Sequence, residues 1–275
     1  MPRLFNRTRT SRSIPLSLLR RGRVLDIPLY YALRTSDLAR EGLEHSGSYR
    51  FADHIYANKP SGRGPMGRWL DARLLSLPAV RSFRNRYLAA RDEVARFLQE
   101  RDRAKPGRPA ALDVMSVPCG IPRELADGAR RARHASAVTF HGLDLDPRAL
   151  AEARAFAEAN GLEPFVTHQG DALDRATYPG AADFITCTGF AEFLDDEDAA
   201  RLYKVLFDVL RPGGRLVTTA MRRTPRADYL LRLAELRVNY RTASDLERML
   251  RRLPFTSVAV RLDDLGIQAI GVCEK

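Results

Sequence analysis

The sequence predicts an α/β fold, a mostly parallel sheet closed by an antiparallel hairpin and preceded by a helical region. Three observations predict it. From residue 110 onward, short apolar runs alternate with amphipathic stretches, the rhythm of strand–helix units around a parallel sheet. The last two runs are separated by "DDLG" alone, too short for a crossover helix, so they must pair as a hairpin. Ahead of "KPGRP" (105–109), apolar residues recur at helical spacing.

Residues 1–23 form a basic tail, with seven arginines and no acid before Asp26. Such a segment is either solvated and disordered or drawn to a polyanion: nucleic acid, an anionic membrane surface or an acidic partner. Residues 24–105 read as helical with interruptions. Ser36 caps "SDLAREGLEH", and the Gly/Pro-dense "NKPSGRGPMG" (58–67) is a turn-rich loop. Leu70, Leu74, Leu75, Leu77, Phe83, Tyr87, Val94, Phe97 and Leu98 trace two further helices divided at Pro78. Residues 110–275 give strands at Ala111–Val114, Val138–Asp144, Pro164–His168, Phe184–Thr188, Arg215–Ala220, Ser257–Leu262 and Ile267–Cys273. Helices fall between them at about 122–132, 147–160, 196–210 and 242–252, with another near 226–236.

A hydrophobic fraction of 45% supports a packed core. No run of about 18 apolar residues offers a membrane-spanning helix, and "IPLSLL" is too short for a signal-peptide core. Cys119, Cys187 and Cys273 are odd in number and far apart. They make no metal-ligand pattern, fit a reducing compartment and set the cytoplasm as the expectation. Charge is uneven: residues 1–110 hold 23 Lys/Arg and 10 Asp/Glu, whereas residues 111–275 hold 22 and 24. All of the excess positive charge therefore lies in the first 110 residues.

Open α/β sheets bind ligands at the carboxyl ends of their strands. The first such loop is Met115–Gly120, within "ALDVMSVPCG". The second strand ends in "GLDLDP", where Asp144 is placed to accept hydrogen bonds from both ribose hydroxyls of a nucleoside. Asp146 and Pro147 open the next helix as N-cap and first residue. "QGDAL" puts Asp171 at the adenine end of the same crevice.

Together with "ADFITCTGFAEFLDDEDAARLYKVLFDVLRPGGRLVTT" and the terminal hairpin, these elements resemble the class I S-adenosylmethionine-dependent methyltransferases, a Rossmann-like fold. "LRPGG" (210–214), leading into the fifth strand, is especially typical of them. The resemblance covers residues 111–275. The segment "DHIYANKPSGRGPMGRWLDARLLSLPAVRSFRNRY" is similar to one preceding the catalytic domain in a group of bacterial methyltransferases without an assigned substrate. It carries Asp53, Tyr56, Asn58, Pro60, Gly67, Arg68, Asp71, Arg81, Arg84 and Arg86. The resemblance implies S-adenosyl-L-methionine as cofactor and no metal. It implies cofactor contacts from Ser116, Val117, Pro118, Cys119, Gly120, Asp144, Leu145, Asp171, Ala172, Thr188, Gly189 and Phe190. Arg86 or Arg84 would reach the cofactor carboxylate or an anionic acceptor.

The sequence departs from that pattern at Met115 and Val117, which stand where the first two glycines usually lie. Glycine serves where φ is positive or a side chain would collide. Either the loop turns with negative φ, stiffened by Pro118 and opened by Gly120, or cofactor binding has been lost.

Candidate catalytic residues are His45, His54 and Tyr56, in the region expected to cover the pocket, and Glu192 after the fourth strand. Tyr30 and Tyr31 are candidate pocket walls. Cys119 has no histidine near it in sequence and is read as part of the loop. His141 and His168 are read as packing residues, His134 as surface, and the run Asp195–Asp198 as a helix cap. The leading functional expectation is methylation of a small-molecule or lipid-like metabolite at oxygen or nitrogen, with residues 24–105 as a helical lid. An RNA methyltransferase using the basic N-terminal half is the alternative enzyme, although "TGFAEF" stands where an "NPPY" signature would. A non-catalytic scaffold of the same fold is the third reading.

Overall fold

The structure, a computed structural model, describes residues 13–20, 22–45, 48–104, 111–133, 137–225, 228 and 238–275. His134 and most of the helix expected near 226–236 lie outside the described residues, as do residues 1–12 of the expected tail. Within that tail, Ser13–Arg20 forms a helix, α1. The chain divides into two compact units, residues 1–84 with 225–237, and residues 85–224 with 238–275.

The first unit is helical: α2 (Asp26–Leu33), α3 (Asp37–Glu44), α4 (Tyr49–Ala57), α5 (Gly64–Leu75) and the start of α6 (Pro78–Ala104). Leu38, Ile55 and Leu75 are buried together, flanked by Phe51, Tyr56, Leu74, Val80 and Phe83. Ser36 caps α3 by accepting from Ala39 N. The loop at 58–67 closes on itself because Gly62 and Gly67 have no side chains. A Cβ on either would overlap backbone, including the Thr35 carbonyl that accepts from Arg63 N.

The second unit is a seven-stranded sheet in the order β3-β2-β1-β4-β5-β7-β6. Its strands are β1 (Ala111–Ser116), β2 (Ala137–Asp144), β3 (Phe165–Gln169), β4 (Ala182–Cys187), β5 (Leu210–Met221), β6 (Ser257–Leu262) and β7 (Gln268–Glu274). The first five pair in parallel, while β7 pairs antiparallel with both β5 and β6, so the expected architecture is present. One face packs Leu112, Val114, Phe140, Phe184 and Val217 on the second half of α6 and on α7 (Arg123–Ala132) and α8 (Pro147–Ala159). The other face packs Met115, Ile185, Cys187 and Leu216 on α9 (Asp196–Val209) and α10 (Ala243–Leu250).

Helix starts follow their caps. Asp146 accepts from Arg148 N and Asp195 from Asp198 N, and Thr242 with Asp245 forms a capping box. Between β3 and β4 there is one 3-10 turn, Arg175–Thr177, and no α-helix. Polar groups occupy that part of the sheet face. His141 Nε2 lies 3.0 Å from Asp113 Oδ1, and His141 Nδ1 lies 3.1 Å from His168 Nε2. The two histidines, expected as packing residues, belong to a hydrogen-bonded chain across β1, β2 and β3.

Candidate active site

Because β1 and β4 are neighbours while β2 and β3 lie to one side, the strand order reverses at β1. This is the topological switch point where such sheets form a ligand crevice. The loop leaving β1 is stitched to both neighbours: Val117 N donates to Thr186 O (2.8 Å) and Cys119 N to Leu143 O (2.9 Å). Among the described residues, only Asn58 and Arg133 combine a positive φ with a side chain, so Met115 and Val117 sit in ordinary backbone regions. Their side chains are 1% and 0% exposed and belong to the core beneath α9. The two bulky residues therefore point into the core, which removes the reason to count them as obstructions.

Gly120 is where the loop needs glycine, with φ +45°. Its N–H donates to Asp144 Oδ2 (3.0 Å), and Asp146 N donates to Asp144 Oδ1 (3.0 Å). Each carboxylate oxygen keeps a further lone pair for a ligand hydroxyl. Burial pushes the Asp144 pKa up, against the opposing pull of those N–H groups. Beside it Leu145 is 63% exposed, a lone apolar surface next to a carboxylate. Gly170 N donates to the Asp144 carbonyl (3.0 Å), which joins the loops after β2 and β3. Asp171 Oδ1 accepts from Leu173 N (3.0 Å), and the carbonyl of buried Ala172 accepts from Tyr178 Oη (2.9 Å).

Other expected contacts are committed elsewhere through their side chains. Ser116 Oγ donates to Glu124 Oε1 (2.6 Å), which also receives Thr186 Oγ1 (3.1 Å), so Ser116 can meet a ligand only through its backbone. Burial raises the Glu124 pKa, opposed by those two hydroxyls. Cys119 packs with Leu150 and Ala153 and fills space left by Gly142, where a Cβ would lie 2.9 Å from its sulfur. Burial pushes its pKa well above the ordinary thiol range, which disfavours the reactive thiolate. Pro118 is half-buried after a cis peptide bond.

At the end of β4, Thr188 is half-buried, and Gly189 has φ +74° and donates its N–H to Thr219 Oγ1 (2.9 Å). A Cβ on Gly189 would overlap the guanidinium of Arg86. Arg86 is buried, and its Nη1 donates to Glu192 Oε2 at 3.2 Å. Glu192 is 3% exposed, and its Oε1 has no hydrogen-bond partner among the described residues. Burial pushes its pKa up, while Arg86 and Arg241 pull it down. Arg241 holds the turn that carries Glu192 by donating to the carbonyls of Ala191 (2.7 Å) and Leu194 (2.8 Å). Phe190 packs against the core under α9.

The remaining candidates lie in the first unit. His54 Nε2 bonds Asp71 Oδ2 at 2.8 Å, Tyr56 packs on Phe83 with ring centres 5.8 Å apart, and His45 Nδ1 is 3.3 Å from Glu41 Oε2. Arg84 Nη1 donates to Asn58 Oδ1 (2.6 Å). Tyr30 is buried, with Tyr31 edge-on at 5.3 Å between ring centres. Glu124 and Arg241 belong to the site region without any motif to announce them. The available signal for Glu124 was a charge on the apolar side of α7, among Leu125, Ala126 and Gly128. Among the described residues no cluster of three or more His, Cys, Asp or Glu side chains is placed to hold a metal ion.

A family profile described as "Putative methyltransferase" matches residues 35–275. The chain belongs to this family. Among solved structures it is similar to a possible exported protein from Bordetella parapertussis, at 25% identity over 97% of both chains with a TM-score of 0.79. It is also similar to a protein from Thermobifida fusca described as a "putative methyltransferase", at 17% identity, 82% of this chain, 97% of that chain and a TM-score of 0.56. A third is the magnesium protoporphyrin IX methyltransferase of Synechocystis, solved with bound S-adenosylmethionine. That likeness has 14% identity, 81% of this chain, 90% of that chain and a TM-score of 0.52. No curated protein matches the sequence. The methyltransferase is of class I fold, and no helix among its described residues is long and apolar enough to cross a membrane.

Proposed function

We propose that this methyltransferase transfers the methyl group of S-adenosyl-L-methionine to an oxygen or nitrogen of a small-molecule or lipid-like acceptor. The cofactor would lie along the carboxyl ends of β1, β2, β3 and β4. One observation carries the reading: Asp144, cross-linked to Gly120 N and Asp146 N, stands at the switch point beside an exposed Leu145. That set of acceptors fits a nucleoside, with two fixed carboxylate oxygens for ribose hydroxyls and an apolar side chain for a base. Asp171 and the backbone of Ala172 would meet the base edge, and the backbone of Ser116 to Gly120 would line the approach to β4.

When bound, the cofactor supplies an electrophilic sulfonium methyl and a good leaving group. The chain's own residues have to hold it in one orientation, align the acceptor and exclude water. Hydrogen-bonded loops after β1, β2 and β4 suit that positioning role, since they are already held in place. The three cysteines, all unpaired and buried, support placing the protein in the cytoplasm. The basic N-terminal region keeps an anionic membrane surface or nucleic acid as a further partner on charge grounds.

Isothermal calorimetry with S-adenosylhomocysteine tests the reading. Saturable binding is expected, with Asp144→Ala weakening it about 30-fold or more through loss of charge-assisted hydrogen bonds. Absence of binding at millimolar ligand would leave a scaffold of the same fold.

A further inference from the structure

We propose that the exposed sides of α1, α2 and α5 dock this methyltransferase on an anionic lipid surface, with apolar side chains entering the headgroup layer and arginines pairing with lipid phosphates. This narrows the charge-based reading of the N-terminal region above to one partner, and it stands apart from the cofactor reading.

Exposed apolar side chains are concentrated in the first unit. Eleven large hydrophobic residues are exposed among the described residues, and eight of them fall between Leu16 and Trp69. The pattern departs furthest from a solvated helix at α2. Its inward side carries buried Tyr30, and from Leu25 to Ala32 every exposed residue is uncharged: Leu25, Pro28, Leu29, Tyr31 and Ala32. Leu25 is 91% exposed. A surface helix turns a polar side to water, whereas one that is apolar all round belongs in a core or a membrane. α1 adds exposed Leu16 and Leu19 at helical spacing. On α5, Met66 and Trp69 are exposed at the same spacing, and the Arg73 guanidinium lies over the Trp69 ring at 5.4 Å. The end of α2 meets the start of α5 at Thr35, whose carbonyl accepts from Arg63 N (2.8 Å) and would be overlapped by a Cβ on Gly67.

Charge selects the partner for these residues. Seven arginines precede Asp26 with no acid among them, and Asp26 itself accepts from Arg23 Nε (2.5 Å). The charged residues exposed from Lys59 to the end of α5 are Lys59, Arg63, Arg68 and Arg73. The one acid in that stretch, Asp71, is fully buried. A second copy of the chain would set like charge against like. A nucleic acid would satisfy the arginines but leave the leucines of α2 in water. A bilayer with anionic headgroups takes both: leucine, tryptophan and tyrosine suit the depth of the headgroup boundary, and arginine the phosphate layer above it. At eight residues each, α1 and α2 are the length of helices that lie in that layer without crossing it.

The test mixes the full chain with vesicles of phosphatidylcholine containing about a quarter phosphatidylserine, and with vesicles of phosphatidylcholine alone. Co-sedimentation with the anionic vesicles is expected, weakening as salt rises, with far less on the neutral ones. Trp69 is the sole tryptophan, so the fluorescence of the chain should shift to the blue on binding. Leu25→Ser combined with Leu29→Ser should weaken vesicle binding about tenfold or more. Both side chains are exposed, so the melting temperature should stay near that of the unsubstituted chain. No co-sedimentation of the unsubstituted chain, no Trp69 shift, or vesicle binding unchanged by the double substitution would each overturn the proposal. Capture of a polyuridine strand without vesicle binding would assign the arginines to nucleic acid. A dimer that the double substitution dissociates, again without vesicle binding, would assign the leucines to a second copy. Either result overturns the lipid reading, while S-adenosylhomocysteine titration of the same samples reports on the cofactor reading separately.

Discussion

Carboxylates of the two units behave in opposite ways. In the first unit, Asp71 is fully buried and accepts from Ser36 Oγ (2.5 Å), Leu38 N (2.9 Å), His54 Nε2 (2.8 Å) and Ser61 N (3.1 Å). Burial alone would raise its pKa, but these hydrogen bonds outweigh burial and hold it at about 2. In the second unit, Asp144 is half-buried and Glu192 buried, and there burial wins and their pKa values go up. A saturated carboxylate is a structural joint, here tying α3, α4, α5 and the loop at 61 together. A carboxylate that keeps acceptor capacity, as Asp144 does, is what the proposed cofactor site would use.

Breaking the joint should have the largest effect. Asp71→Ala leaves four donors without their acceptor, and thermal or denaturant melts should show a loss of about 3–5 kcal/mol. A loss below about 1 kcal/mol would mean that those bonds are not holding the helices. The same joint predicts an acid transition. The folded pKa lies below the unfolded one, so the stabilisation is present above about pH 4 and is lost as pH falls toward about 2. The change is worth about 2 kcal/mol and should vanish from the pH dependence of the melting temperature in Asp71→Asn. A smaller effect sharpens the picture of the β1 loop. If Val117 is core, Val117→Ala should cost about 1–2 kcal/mol and leave S-adenosylhomocysteine affinity unchanged. Tighter binding with no stability loss would show that the side chain obstructs the crevice.

The sheet was legible because its signals are local and repeated: strand–helix alternation, the Asp146-Pro147 start of α8, and a four-residue link that can only make a hairpin. The loop acids Asp144 and Asp171 were legible by their position after strands. Side-chain direction was not. Met115 and Val117 read as a damaged glycine loop, because sequence cannot tell a residue lining a crevice from one pointing into the core beneath it. Cys119 likewise reads as a loop contact until Gly142 is seen to make room for its sulfur. His54 reads as a free catalytic candidate until Asp71, 17 residues away, is seen to accept from it. The Glu124 cluster and the Arg86–Glu192 pair join segments that only the tertiary fold brings together, the latter 106 residues apart.

Paired melts and S-adenosylhomocysteine titrations of Asp71→Ala and Asp144→Ala test the central claim most directly. Asp71→Ala should lower the melting temperature sharply, while folded protein still binds the ligand. Asp144→Ala should melt close to the unsubstituted chain and lose about 30-fold or more in affinity. An Asp144→Ala protein that melts early but binds normally would contradict the account.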